Sequence, residues 1–488
     1  VTFVNSTDTL PTGSFKLSSP FGRRAVALSV AAAVGGFLFG FDSSVINGAV
    51  DAIEGTYETS AFLTGLVVAV ALLGCAVGAI VAGSLSDKWG RLRVMLLGGA
   101  LFFISSVGTA LTFSIPDLFV WRILSGLGIG IASVVAPAYI AEIAPRQVRG
   151  SLASLQQLAI TLGIFGALLS DALLANTAGG AAETLWFGMA AWRWMFLVGV
   201  IPSAVYIILS FTLPESPRYL IAKGRQDEAR KVFARLVPEV DLDHTLRDLT
   251  TTIEEDRKNQ GASLRGKALG LQPIVWVGII LSVFQQFVGI NVIFYYSTSL
   301  WKAVGFDESD SLLITVITSM TNVVMTLIAI WLVDRVGRKP LLLTGSGLMT
   351  VSLAAMALAF TFAEGTGKDV SLPGAWGPVA LIAANLFVVG FAASWGPLVW
   401  VLLGEIFPSR IRGKALGVAA AAQWIANFLI TMSFPVMSGW SLPFTYGMYA
   451  AFALLSLLYV AWQVPETKGM ELEKTETLFV KKPKKQHA

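Results

Sequence analysis

Phe284-Gln285-Gln286-Phe287-Val288-Gly289-Ile290-Asn291-Val292-Ile293-Phe294-Tyr295-Tyr296-Ser297 lies inside an apolar run from about Pro273 to Leu300. A run of that length reads as a membrane span. Adjacent glutamines and an asparagine in such a setting cost free energy unless other groups satisfy them. Bonds to neighbouring helices would serve for a lone amide. A glutamine pair with Asn291 and a tyrosine pair points instead to a binding site. On a regular helix Gln285 and Asn291 point about 120° apart, with Gly289 between them. Glycine loosens a helix, so a break there would turn both groups toward one cavity. A polar cavity inside an apolar protein suits a hydroxylated solute.

The rest of the chain supports a membrane setting. Of 488 residues 55% are hydrophobic and only 14% charged, with a mean hydropathy of +0.70; soluble domains carry about 25% charged residues. Apolar spans read approximately as 25–48, 61–85, 94–113, 116–139, 151–174 and 194–213, then 273–300, 309–333, 340–363, 376–403, 413–437 and 443–464. The even spacing of these apolar segments argues against a β-barrel, whose strands are short and alternating. The sequence predicts an all-α membrane protein with twelve transmembrane helices. The expected segments are 1–23, an N-terminal six-helix half at 24–213, a linker at 214–270, a C-terminal half at 271–465 and a tail at 466–488.

Charge placement predicts orientation. Lys88, Arg91, Arg93, Arg146, Arg149, Arg335, Arg338, Lys339, Arg410, Arg412 and Lys414 fall in the loops after even-numbered spans. The alternate loops carry Asp51, Glu54, Glu58, Asp307, Glu308 and Asp310. The positive-inside rule then puts both termini and the linker in the cytoplasm, with the protein multi-pass in the cell (plasma or inner) membrane. In the linker, Ala229, Val232, Phe233 and Leu236 follow helical spacing, as do Leu246, Leu249 and Ile253. These amphipathic helices lie either under the bundle or on the membrane surface.

Composition removes several functions. The one cysteine, Cys75, excludes an internal disulfide framework, and His244 and His487 lie outside the spans, so no histidine relay or metal site is expected. There is no phosphate-binding loop, so ATP-driven transport by this chain is excluded, and no nucleophile elbow appears. No cofactor, no nucleic-acid partner and no enzymatic activity are expected, and a monomer is. Residues 1–20 are polar and show no signal-peptide core.

Three landmarks recur in the two halves at nearly the same spacing. Asp87-Lys88-Trp89-Gly90-Arg91 returns as Asp334-Arg335-Val336-Gly337-Arg338, Glu142…Arg149 as Glu405…Arg412, and Pro214-Glu215 as Pro465-Glu466. Two homologous halves in parallel orientation explain this. Acids beside bases at helix ends form charge-assisted bonds, and the same charges pin the loops to one side.

Within the spans, Asp42 stands in the first and Arg122 in the fourth, where Gly126, Gly128 and Gly130 allow close helix approach. A carboxylate at membrane depth marks a proton or ion path; the other readings are a permanent ion pair or an acid at the outer mouth. Gln157, Asn322, Trp400, Gln423, Trp424 and Asn427 add amides and indoles. Amides pair with vicinal hydroxyls, and tryptophan gives an apolar wall to a sugar ring.

The stretch Gln285–Tyr296 resembles the pattern Q-Q-x-x-G-I-N-x-x-x-Y-Y of the sugar porters, a branch of the major facilitator superfamily, and the other landmarks agree from about Arg24 to Leu478. The resemblance implies two six-helix halves and a cytoplasmic helical linker. It places sugar contacts on Gln157, Gln285, Gln286, Asn291, Asn322, Trp400, Gln423 and Trp424, with Phe39, Tyr295, Gly396 and Asn427 as secondary candidates. It makes Asp87, Arg91, Glu142, Arg149, Glu215, Arg218, Asp334, Arg338, Glu405, Arg412 and Glu466 a cytoplasmic gate, and Asp42 with Arg122 a proton-coupling pair. The partners implied are a monosaccharide (hexose, pentose or polyol), a proton and the lipid bilayer. Proton symport is the expected mode; a facilitative uniporter and a non-transporting sensor are the alternatives. Ile164 stands where some relatives carry a second glutamine, and the loop Asn176–Arg193 is longer and receives no role.

Overall fold

The structure is a computed structural model that describes residues 19–144, 149–236, 263–266, 268–364, 371–407 and 411–467, with linker residues 242–244, 246, 247, 249–251, 253 and 254. The side chains of 149–151, 153, 334, 412 and 413 are not among those described. Twelve helices in this set are long and apolar enough to cross a membrane. Spans 1–6 are Pro20–Tyr57, Ala61–Trp89, Arg91–Ala110, Ile115–Ile143, Ser154–Ala178 and Ala191–Thr212. Spans 7–12 are Pro273–Ala303, Glu308–Val333, Arg338–Thr361, Trp376–Ile406, Lys414–Trp440 and Leu442–Gln463.

Several spans begin where the sequence offers a cap. Ser19, Ser60, Ser114, Asp307 and Ser441 accept hydrogen bonds from the first turns of spans 1, 2, 4, 8 and 12, satisfying donors the helix leaves open. Span 1 runs well past the apolar stretch expected at 25–48, ending at Tyr57, because a helix need not stop where the hydrocarbon does.

In the N-terminal half span 1 packs on span 5 and span 2 on span 4; in the C-terminal half span 9 packs on spans 10 and 12 and span 7 on span 11. The glycines of span 4 make its contact possible: a Cβ at Gly126 would lie 2.0 Å from the Ala71 carbonyl oxygen. The halves meet through spans 2 and 11, spans 5 and 8, and spans 1 and 7.

The linker resolves its two alternatives toward packing under the bundle. Helices Pro217–Ala222 and Gln226–Phe233 bury Leu220, Ile221 and Ala229 against Leu246, Leu249 and Ile253. The Tyr139 hydroxyl donates to Pro214 O at 2.7 Å and that of Tyr219 to Lys88 O at 3.3 Å, tying the linker to the ends of spans 4 and 2. A short hairpin, Arg265–Gly266 with Gly270–Leu271, leads into span 7.

Candidate functional site

Span 7 is broken where the sequence predicts. Its first helix ends at Phe287, its second begins at Ile290, and Gly289 adopts the left-handed conformation at φ 85°, which glycine takes without the steric cost other residues incur. The break swings Asn291 back so that its Nδ2 donates to Gln286 Oε1. Gln285 Nε2 donates to the Trp395 and Gly396 carbonyls at 2.9 and 3.2 Å, while its buried Oε1 has no partner among the described residues.

Those two carbonyls are exposed to the amide by an irregularity in span 10. Phe391–Trp395 is wound as a π-helix before the α-helix resumes at Gly396, an arrangement that frees backbone groups and often marks function. Nothing in the apolar composition of Phe391–Trp395 signals it. Trp395 is fully buried and donates Nε1 to Ser346 Oγ at 2.8 Å, whereas Trp400, further along the span, is 41% exposed.

Span 11 supplies Gln423, Trp424 and Asn427. Gln423 Oε1 is buried without a described partner, and Asn427 Oδ1 accepts from Thr431 at 3.0 Å while its side chain meets Tyr295. The Trp424 ring packs edge-on to Phe39 of span 1, 5.5 Å between centroids, so the two halves touch at mid-membrane. Phe39, Asp42, Ser43, Cys75, Arg122 and Tyr295 line a small cavity at this junction. Of the expected sugar contacts only Phe39 and Tyr295 line it; Gln157 on span 5, partly exposed, Asn322 on span 8, buried, and the amides and indoles of spans 7, 10 and 11 are not among its lining residues.

Asp42 is 5% exposed. Arg122 Nη1 reaches both its carboxylate oxygens, at 3.2 and 3.3 Å, and Ser125 donates to Oδ2 at 3.4 Å. Arg122 Nε has no described partner. A charge pair removed from water persists only when each member answers the other, so a change at Asp42 is felt at Arg122.

At the linker end the halves repeat one cluster. Arg91 donates Nε and Nη2 to Glu142 at 3.0 and 2.9 Å, its backbone N–H donates to Glu215 at 3.0 Å, and Ser216 donates to Glu142. Arg338 donates Nη2 to Glu405 at 2.7 Å, its N–H donates to Glu466 at 3.0 Å, and Thr467 donates to Glu405 at 2.6 Å. Asp87 adds a bond to Arg91 at 3.2 Å. Each of these bonds stays within one half. Arg218 is described at the start of Pro217–Ala222; the side chains of Arg149, Asp334 and Arg412 lie outside the described set.

The opposite end is bridged between halves by residues that the sequence reading left as loop charges or did not single out. Asn47 Nδ2 donates to Phe294 O and Ser297 Oγ, both at 2.9 Å, and its Oδ1 accepts from Thr298 N–H at 3.1 Å. Asp51 accepts from Ser299 at 2.6 Å and pairs with Lys302 at 2.9 Å. Glu308 at the start of span 8 accepts from Ala181 N–H at 2.8 Å. The available signal was a polar amide within span 1, Asn47, followed by Gly48, Ala49 and Val50 and then by Asp51.

Comparison with known proteins gives a consistent picture. A family model described as sugar (and other) transporter matches residues 28–479. The chain is 49% identical over 465 residues to the glucose transport protein of Synechocystis sp., covering 95% of this chain and 99% of that one. It is 36% identical over 492 residues to the D-xylose-proton symporter of Escherichia coli K12, covering 94% and 96%. The inward-open structure of the xylose transporter of E. coli superposes with a TM-score of 0.79 at 33% identity, covering 93% of this chain and 99% of that one. The chain is a multi-pass membrane transporter, not an enzyme, and belongs to the sugar porter family of the major facilitator superfamily.

Proposed function

We propose that this protein imports a monosaccharide across the cell membrane by alternating access, in symport with protons, with Asp42 as the proton carrier. The observation that carries the reading is the Asp42–Arg122 pair, set in the cavity where Phe39 of one half faces Tyr295 of the other. In this position a proton on Asp42 releases Arg122, and the release is felt at the surface where the halves move. A proton shifts a conformational equilibrium only by binding one state better than the other; a carboxylate paired in one state and unpaired in the next meets that requirement.

The sugar would be held by the amides around the break in span 7. Gln285 and Gln423 each present a buried oxygen without a described partner, a donor-seeking group of the kind a sugar hydroxyl satisfies. Gln157, Gln286, Asn291, Asn322, Trp400 and Trp424 complete the proposed contacts, with Phe39, Tyr295, Gly396 and Asn427 around them. The identity to the relative named for glucose favours an aldohexose over an aldopentose. The basic loops at the linker end support a cytoplasmic linker, and an inward-directed proton gradient would make symport run as import. The paired clusters around Arg91 and Arg338 would form the gate at that end.

The test is uptake of radiolabelled glucose, xylose and a polyol into proteoliposomes, with and without an imposed proton gradient. Accumulation of one sugar above equilibrium only with the gradient supports the reading. Equilibration alone under both conditions refutes the coupling, and no uptake of any sugar refutes the substrate class.

A further inference from the structure

Residues 179–190 join spans 5 and 6 at the end opposite the linker, and they form a built element. Leu185 N–H donates to Met189 O at 2.9 Å, Met189 N–H donates to Trp186 O at 3.1 Å, and Thr184 pairs antiparallel with Ala190. The chain reverses over Phe187 and Gly188, both at positive φ, 54° and 75°, which is the two-residue hairpin turn. Glycine accepts that conformation freely; phenylalanine adopts it against steric resistance. Yet Phe187 is the tip residue, 93% exposed, with Trp186 beside it at 49%.

The hairpin leans to one side of the bundle. Trp194 of span 6 receives the edge of Trp186 at 5.3 Å and the ring of Phe187 at 6.1 Å, and its Nε1 donates to Trp186 O at 3.2 Å. Trp194 is half-buried; further along the same helix Ile201, Val205 and Ile208 are exposed, while Met195, Phe196 and Tyr206 are buried in the bundle. An exposed isoleucine-and-valine stripe on a spanning helix is the face toward lipid. The hairpin therefore folds over the lipid-facing side of span 6 at its outer end, not over the axis of the bundle. Other exposed rings sit at the same end of the bundle, Phe113 between spans 3 and 4, Trp440 at the end of span 11 and Phe444 at the start of span 12, and aromatic side chains collect where the bilayer meets water.

We propose that this hairpin is an interfacial anchor that sets Trp186 and Phe187 at the boundary between lipid headgroups and acyl chains, in the leaflet opposite the linker. The base of the hairpin carries Ala181, whose O accepts from Trp192 N–H at 2.9 Å and whose N–H donates to Glu308 of the other half. The anchor thus holds to the membrane the segment that meets the second half when this end is closed.

The experiment is site-directed spin labelling in lipid nanodiscs, in a Cys75→Ala background so that one site reacts. A nitroxide at Phe187→Cys should be relaxed more by oxygen, which concentrates in lipid, than by a water-soluble nickel chelate. A label at Arg225→Cys, exposed just before the linker helix Gln226–Phe233, should show the reverse. Trp186→Cys provides a second position should the first variant not fold. Nickel-dominated relaxation at both hairpin positions, equal to that at Arg225→Cys, overturns the proposal. A change in label mobility on adding glucose, with nickel-dominated relaxation, also overturns it, in favour of a carbohydrate platform.

Discussion

Asp51 of span 1 and Lys302 of span 7 meet at 2.9 Å, one from each half of the protein. Both are about a third exposed, and an exposed pair contributes only about 0–1 kcal/mol. The seal at this end rests more on its neighbour Asn47, buried and bonded three times to the second half of span 7.

Asn47→Ala should therefore open this end. Removing the amide strands buried groups at a cost of about 1–3 kcal/mol, a shift of roughly 5–150-fold toward the state open opposite the linker. Spin-label distances between the outer ends of spans 1 and 7 would show a longer population. Asp51→Asn should do the same more weakly. Unchanged distances in Asn47→Ala would mean that other contacts close the protein.

Gln285→Ala and Asn291→Ala should each weaken sugar binding by about 1–3 kcal/mol, roughly 5–150-fold in Kd. Calorimetry in detergent would measure it, and thermal melting would verify that both variants fold. Wild-type affinity in both would remove the span 7 break from the site.

Gly289→Ala tests the break itself. Any side chain must adopt φ 85° there, and its Cβ would lie 2.6 Å from the Tyr449 ring. The left-handed conformation alone costs about 1–2 kcal/mol, so the variant should melt lower and bind sugar less tightly. A variant that melts and binds like wild type would show that the break does not depend on glycine.

Much of this was legible in the residues. Twelve spans follow from apolar length, and the repeated acidic and basic landmarks foretell two alike clusters, which Arg91 with Glu142 and Arg338 with Glu405 form. Gly289 signalled its break because it stands between Gln285 and Asn291, which a regular helix would point apart. The seal escaped notice because Asp51 and Lys302 look like loop charges, and their partnership is set only by how the halves dock. The π-helical turn before Gly396 escaped for another reason: hydrogen-bond register leaves no mark on composition. Trp395 and Trp400 read alike in sequence, and only packing separates the buried indole bonded to Ser346 from the exposed one.

The coupling role of Asp42 is the central claim, and Asp42→Asn tests it most directly. Asparagine keeps the shape and hydrogen-bonding capacity of the acid but carries no titrating proton, so Arg122 loses its counter-charge permanently, as it would beside a protonated Asp42. Gradient-driven uptake and sugar counterflow are measured in the same proteoliposomes. The expected result is counterflow retained and accumulation abolished, because the amides that hold the sugar remain while the proton gradient has no group to act on. Accumulation of sugar by Asp42→Asn under an imposed proton gradient would contradict the account.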